Sequence, residues 1–371
     1  MNWVRVAGLL TLLAGALSGC VALPTGEELV SLPGPQSATP VGTSVVDGRA
    51  RFRDIFCGVL ARKPAASDPQ QDCSSWLWQL DDEPPAERRP LPDADPSPQV
   101  YLVAGAFSEC LGDDARPFNS AAAALAESGY RISMITVSGR SGSEHNAGQI
   151  AARLADPPPG EDGPVVLIGY SKGANDILEF LVRYPDAAAR VESVVSVAGA
   201  IAGSPLAEQA GEAYRLLLEQ MPSNRCAPGD GGVVDSLRQQ TRRGWLVNNP
   251  LPGHVRYFSV AAFATRARMA GALIAPWKFL LQYDRRNDGQ LLAQDQLIPG
   301  ATLLAYVDAD HWSVAVDVEI VHPVLGTRPD PTPFPRAALL EAILLQLAES
   351  RAAGPGPSAP DRSATADSNG P

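Results

Sequence analysis

Five consecutive residues, Gly169-Tyr170-Ser171-Lys172-Gly173, place a serine between two glycines where an apolar run (164–169) meets a helix-forming run (173–184). At such a junction the chain turns so sharply that only small flanking residues fit, and the serine hydroxyl projects above the sheet. The serine also stands at a helix amino terminus, where the dipole and free N–H groups favour developing negative charge. The chemistry this suits is nucleophilic attack through a covalent intermediate. A serine hydroxyl needs a neighbouring base for that, and the chain holds four histidines, His145, His254, His311 and His322. A carboxylate orienting the imidazole from the side away from the serine completes such a set. No Cys/His spacing suits zinc and there is no His-Glu-x-x-His, so the reading calls for no metal and no cofactor.

The elements that must position these residues follow a regular pattern. Short Val/Ile/Leu-rich stretches at 99–104, 131–137, 164–169, 191–197, 255–262 and 302–307 read as strands. Helical patterns lie over 119–128, 144–154, 173–184 and 336–349. This alternation predicts an α/β fold, a mostly parallel sheet flanked by helices on both faces. Ligands on such sheets bind at the carboxyl ends of the strands, and Ser171 lies at one of them. Between 203 and 251 the alternation lapses. Ala210, Tyr214, Leu217, Leu218 and Met221 fall at helical spacing there, and a second helix is expected over 233–245.

Around Ser171 the chain resembles the lipase and esterase branch of the α/β-hydrolase family, over roughly residues 99–350. Two further stretches are similar to it. The segment from Val197 through Gly203-Ser204-Pro205-Leu206-Ala207 is similar to the one after the sixth strand of many lipases, and Asn287-Asp288-Gly289 resembles the turn that carries their acid. The resemblance implies the chain order Ser, Asp, His, which removes His145. His254 precedes a strand and so sits at the wrong end of the sheet; His322, beside Pro323, has no comparable placement. His311 follows the last strand and is the expected base. Asp288 is the expected orienter, with Asp284 and Asp295 as competitors; Asp308 and Asp310 are too near His311 in sequence to reach behind it. The implied oxyanion donors are the N–H of Lys172 and that of Ala106 or Phe107. Ala104-Gly105-Ala106-Phe107 departs from the family by lacking its usual His-Gly. The Lys172 side chain is expected in solvent. In this family an insertion such as 203–251 forms a helical cap over the pocket.

The two ends read differently. Residues 1–19 carry one charge, Arg5, and an apolar run from Val6 to Leu17, the length of a signal peptide. Leu17-Ser18-Gly19-Cys20 resembles the bacterial lipobox, which implies a diacylglyceryl thioether on Cys20 and cleavage before it. Val21 after that cysteine implies, for a Gram-negative host, the outer membrane facing the periplasm. Residues 20–47 are rich in Gly, Pro, Ser and Thr and are expected to be a flexible linker. Residues 48–98 read as a small helical extension and a Pro-rich connector, and 351–371 as a disordered tail. Outside the cytosol cysteines pair, and the expected bonds are Cys57 with Cys73 and Cys110 with Cys226.

Composition sets the outer bounds. With 371 residues and 45% hydrophobic content the chain has ample material for a core, and it contains no apolar run of membrane-spanning length. Thirty Lys+Arg against 41 Asp+Glu, a formal charge of −11, argue against nucleic acid as a partner. The reading is a lipid-anchored serine hydrolase acting on a small-molecule or lipid ester. An acyltransferase or thioesterase with the same residues, and a non-catalytic envelope-binding lipoprotein on a hydrolase scaffold, are the rivals.

Overall fold

A computed structural model describes residues 23–32, 41–62, 73–85, 88–209, 227–317 and 333–354. Seven strands form one all-parallel sheet: β1 (Val46–Asp47), β2 (Gln99–Val103), β3 (Arg131–Ile135), β4 (Val165–Tyr170), β5 (Val191–Val197), β6 (Arg256–Phe263) and β7 (Thr302–Asp308), in the order β1-β7-β6-β5-β4-β2-β3. Their residues point alternately to the two faces, and the core divides accordingly. Val100, Leu102, Val166 and Ile168 face one layer, built on the helices Arg49–Arg62, Asn119–Ala126 and Arg336–Ala352. Tyr101, Val103, Val165 and Leu167 face the other, built on Ser143–Ala155 and Lys172–Arg183. Burial on both faces explains why β4 is apolar throughout.

From β2 the chain first moves outward to β3, then returns to the far side of β2 for β4 and continues the other way. The order therefore reverses between β2 and β4, which pair in register from Gln99↔Val165 to Val103↔Gly169. A crevice opens at the carboxyl end of such a reversal because the loops leave in opposite directions. Ser171 and the Ala104–Phe107 loop both lie at this point.

The linker expected over 20–47 is corrected in part. Residues Gly26–Ser31 form a helix closed by a capping box, in which the Thr25 hydroxyl accepts from the Glu28 N–H and the Glu28 carboxylate accepts from the Thr25 N–H. Val46–Asp47 adds the edge strand beside β7. Composition suggested a linker because this segment gains its stability from contacts distant in sequence, not from local propensity. Residues 1–22, with Cys20, lie outside the described residues, as do 355–371 of the expected tail. Among the described residues no helix is long and apolar enough to cross a membrane.

Cys57 and Cys73 form a disulfide, as expected. Closing a loop of this size adds about 3 kcal/mol by the chain-entropy estimate, and it ties the helix Arg49–Arg62 to the Trp76–Trp78 stretch that lies along β7. Cys110 is also disulfide-bonded; its expected partner, Cys226, lies outside the described residues. In the 203–251 insertion, helices run over Pro205–Gln209 and Gln239–Asn248. The second starts six residues later than expected from 233. Arg238 is extended and bridges Ser204, and Ser236 is held by the Ser143 N–H and by Asn175. The expected stripe from Ala210 to Met221 lies outside the described residues.

Candidate active site

Ser171 has φ 54° and ψ −127°, a left-handed φ that a non-glycine residue adopts only under constraint. The constraint is the packing of the turn. A Cβ on Gly169 would come within 2.5 Å of Ala174 Cα, and one on Gly173 within 2.3 Å of the Val103 carbonyl oxygen. Only glycines let β4 and the following helix meet this closely against β2. The Ser171 N–H donates to the Val197 carbonyl, tying the turn to β5 as well. The serine is thus fixed in a strained bend at the mouth of the crevice.

Its Oγ lies 2.9 Å from His311 Nε2, and His311 Nδ1 lies 2.7 Å from Asp288 Oδ2. With Nδ1–H donating to the carboxylate, Nε2 is left to accept the serine proton. Asp288 is fully buried and held from several sides. Its Oδ1 accepts the N–H of Gln290 at 2.8 Å and of Leu291 at 2.7 Å, and Gln296 Nε2 approaches Oδ2 at 3.4 Å. Gln296 is fixed in turn by both backbone groups of Ala262 on β6, at 2.7 and 2.8 Å. The His311 backbone is pinned at both ends: its N–H donates to the Asp288 carbonyl at 2.8 Å, and its carbonyl accepts the Tyr170 hydroxyl at 2.6 Å. Burial, with Asp288 and Asp310 nearby, holds the Tyr170 phenol well above its ordinary pKa, so it remains a donor.

The other carboxylates are engaged elsewhere. Asp310 accepts the N–H groups of Ala270, Trp312 and Ser313, shaping the loop that carries His311. Asp308 pairs with Arg268. Asp295 accepts from Gln239 and Arg243, and burial pushes its carboxyl up to about 6. Asp284 accepts the Arg286 N–H. His145 and His254 are exposed, and His322 lies outside the described residues. Of the expected residues, Ser171, His311 and Asp288 are the ones brought together.

The backbone N–H groups of Lys172 and Ala106 have no hydrogen-bond acceptor among the described residues. Phe107, the alternative to Ala106, is corrected: its N–H donates to the Gly139 carbonyl at 3.1 Å, an approach that the missing side chain of Gly139 permits, since a Cβ there would lie 2.7 Å from the Phe107 nitrogen.

A metagenomic carboxyl esterase, MGS0156, is 35% identical in sequence over 92% of this chain and 99% of that one, and superposes with a TM-score of 0.75. The chain belongs to the α/β-hydrolase family. The mature form of the Bacillus licheniformis lipase BlEst2 is 22% identical over 65% of this chain and 96% of that one, with a TM-score of 0.49. No protein-family model matches the chain, and no curated protein does.

In this α/β-hydrolase the Lys172 side chain is not in solvent, contrary to expectation. It is 1% exposed and its Nζ lies 2.7 Å from Asp176 Oδ1, one turn along the same helix. Asn146 Nδ2 holds the other Asp176 oxygen at 2.7 Å. The helix Ser143–Ala155 covers this face, so the lysine is enclosed between two helices and its charge needs a buried partner. Two residues that shape the site, Tyr170 and Gln296, carry no signal of that role in the sequence. Tyr170 occupies a position of the five-residue turn that fits many side chains, and Gln296 has no motif around it.

Proposed function

We propose that the protein is a carboxylic-ester hydrolase that works through an acyl-enzyme on Ser171. The observation that carries this is the continuous chain of hydrogen bonds from Ser171 Oγ through the His311 ring to Asp288. Ser171 Oγ attacks the ester carbonyl carbon while His311 Nε2 takes its proton, and Asp288 stabilises the resulting imidazolium. The carbonyl oxygen becomes an oxyanion that the N–H groups of Lys172 and Ala106 are available to bind, each such donor contributing about 3 kcal/mol to lowering the barrier. Collapse breaks the bond to the alcohol oxygen, which leaves with the proton from His311. Water repeats the sequence, giving the acid and free serine. That the similar solved protein is a carboxyl esterase supports an ester rather than another acyl compound as substrate.

The test is labelling with a fluorophosphonate, followed by turnover of p-nitrophenyl esters of increasing chain length. One equivalent of probe on Ser171 and saturable ester hydrolysis are expected. Probe attached to a different residue, or a folded protein inert to both reagents, overturns the reading.

We further propose that the protein is held outside the cytoplasm by lipid on Cys20, supported by the Leu17-Ser18-Gly19-Cys20 sequence. Cys20 lies six positions before the helix Gly26–Ser31, so the connection can reach at most about 20 Å, and a lipid on Cys20 would keep the domain close to the bilayer. Fluorophosphonate labelling of fractionated cells is expected to find the wild type with membranes and Cys20→Ser in the soluble fraction. Cys20→Ser remaining with the membranes would refute the anchor.

A further inference from the structure

Asp288 sits at the tip of a tight loop. Its base is closed by the Ala293 N–H donating to the Arg286 carbonyl at 2.9 Å, with Asn287 and Leu292 bridging above. The position of Asp288 therefore depends on what holds Arg286. Its side chain is buried and turned away from the crevice. Nε donates to the Leu29 carbonyl at 2.9 Å, and Nη2 donates to the carbonyls of Leu29 and Leu32, each at 2.6 Å. These carbonyls end the helix Gly26–Ser31, where a cation also meets the negative end of the dipole. Three hydrogen bonds to two sequence-distant carbonyls thus fix a guanidinium two residues from the acid.

The helix is itself docked on both flanks of that loop. Leu29 is fully buried in a cluster with Phe263, the last residue of β6, and with Ala293 and Leu297 just beyond the acid. Trp78 lies against Gly26, stacks on Phe263 at 5.1 Å and donates its indole N–H to the Phe263 carbonyl. Glu28 pairs with Arg285 at 3.4 Å. The contacts of this short segment thus converge on the loop that aims Asp288.

We infer that the amino-terminal helix Gly26–Ser31, gripped by Arg286, is a positioning element for Asp288, so that a segment remote from the substrate sets the efficiency of the Ser171 reaction. The inference rests on the ester-hydrolase reading above. Arg286 touches no reacting atom; it acts by fixing where the acid stands behind His311.

The test compares full-chain Arg286→Met, Arg286→Lys and Leu29→Ala with the wild type, following kcat, KM, the rate of fluorophosphonate labelling and the melting temperature. Misplacement of a catalytic group by a fraction of an ångström gives, for Arg286→Met, a loss of about tenfold in kcat and in labelling rate, with KM within about twofold. Arg286→Lys keeps the charge but not the planar fork, and Leu29→Ala loosens the helix while leaving the arginine; both are expected to lose about threefold in the same two rates. Lysine restoring part of what methionine loses is the signature of the grip. Should Arg286→Met not fold, the two milder variants decide. Lower melting temperatures with wild-type kcat and labelling rate in those variants would make the contact merely structural and overturn the inference. Failure of the underlying reading is distinguished by Ser171→Ala: if that variant hydrolyses esters within about a hundredfold of the wild type, the catalytic assignment falls rather than the role of the helix.

Discussion

Ser171→Ala is expected to lower kcat for an activated ester by about a millionfold, the scale on which removal of a serine nucleophile acts when base and acid remain. The loss is large because the hydrogen-bond partner of His311 Nε2 is Ser171 Oγ, at 2.9 Å, and among the described residues no second hydroxyl or thiol stands in its place. The substitution leaves the fold undisturbed. Alanine meets the same steric cost as serine at φ 54° and needs no more room, and the N–H bond from residue 171 to the Val197 carbonyl does not involve the side chain. A residual rate of about 10³ over water is expected, because the Lys172 and Ala106 N–H groups and the crevice survive the change. The measurement is kcat with p-nitrophenyl acetate, checked by loss of fluorophosphonate labelling and an unchanged melting temperature. Activity within a hundredfold of wild type would remove Ser171 from the mechanism.

The parts of the site that were legible in the sequence are those whose signal is local. An apolar stretch ending in Gly169-Tyr170-Ser171-Lys172-Gly173 can be read because the steric demand at Gly169 and Gly173 comes from neighbours in the same strand–turn–helix unit and from β2 beside it. His311 was legible because it follows β7 by three residues, and the carboxyl end of a parallel strand is a place the sequence can mark. Six of the seven strands are legible to within two residues, because burial leaves them rich in apolar residues; the exposed two-residue edge strand β1 carries no such signal.

What escaped depends on contacts between distant parts of the chain. The hydroxyl of Tyr170 reaches a carbonyl 141 positions away, and Gln296 bonds to Ala262, 34 positions away. Neither partnership leaves a trace in spacing. Lys172 looked like a surface residue because lysine is rarely buried unless paired; its partner Asp176 stood four residues on, visible but indistinguishable from an ordinary exposed pair on a helix. The N–H of Phe107 is taken by Gly139 through a loop conformation that no residue type announces. The helix Gly26–Ser31 reads as linker for the same reason. Six residues are too few for a helix to persist on propensity, and the carbonyl grip that holds it comes from Arg286, more than 250 positions downstream.

Asp288→Asn tests the other half of the proton chain, and its expected effect is about a 10⁴-fold fall in kcat. The size follows from the hydrogen bonds already in place. Oδ1 accepts two backbone N–H groups, from Gln290 and Leu291, so an amide at this position must keep its oxygen there. Its NH₂ then takes the place of Oδ2, 2.7 Å from His311 Nδ1, and two donors would face each other. The ring resolves this by placing its proton on Nε2, the nitrogen that should receive the proton of Ser171. Gln296 cannot repair the arrangement, because its amide is fixed by Ala262 with the NH₂ toward the acid. Nor can Asp310 substitute, since its carboxylate is occupied by Ala270, Trp312 and Ser313. The result to look for is a folded protein with near wild-type KM and a labelling rate reduced in proportion to kcat. A loss of less than about tenfold would mean that orientation of the imidazole by Asp288 contributes little, and that the rate comes from the strained serine and its N–H donors alone.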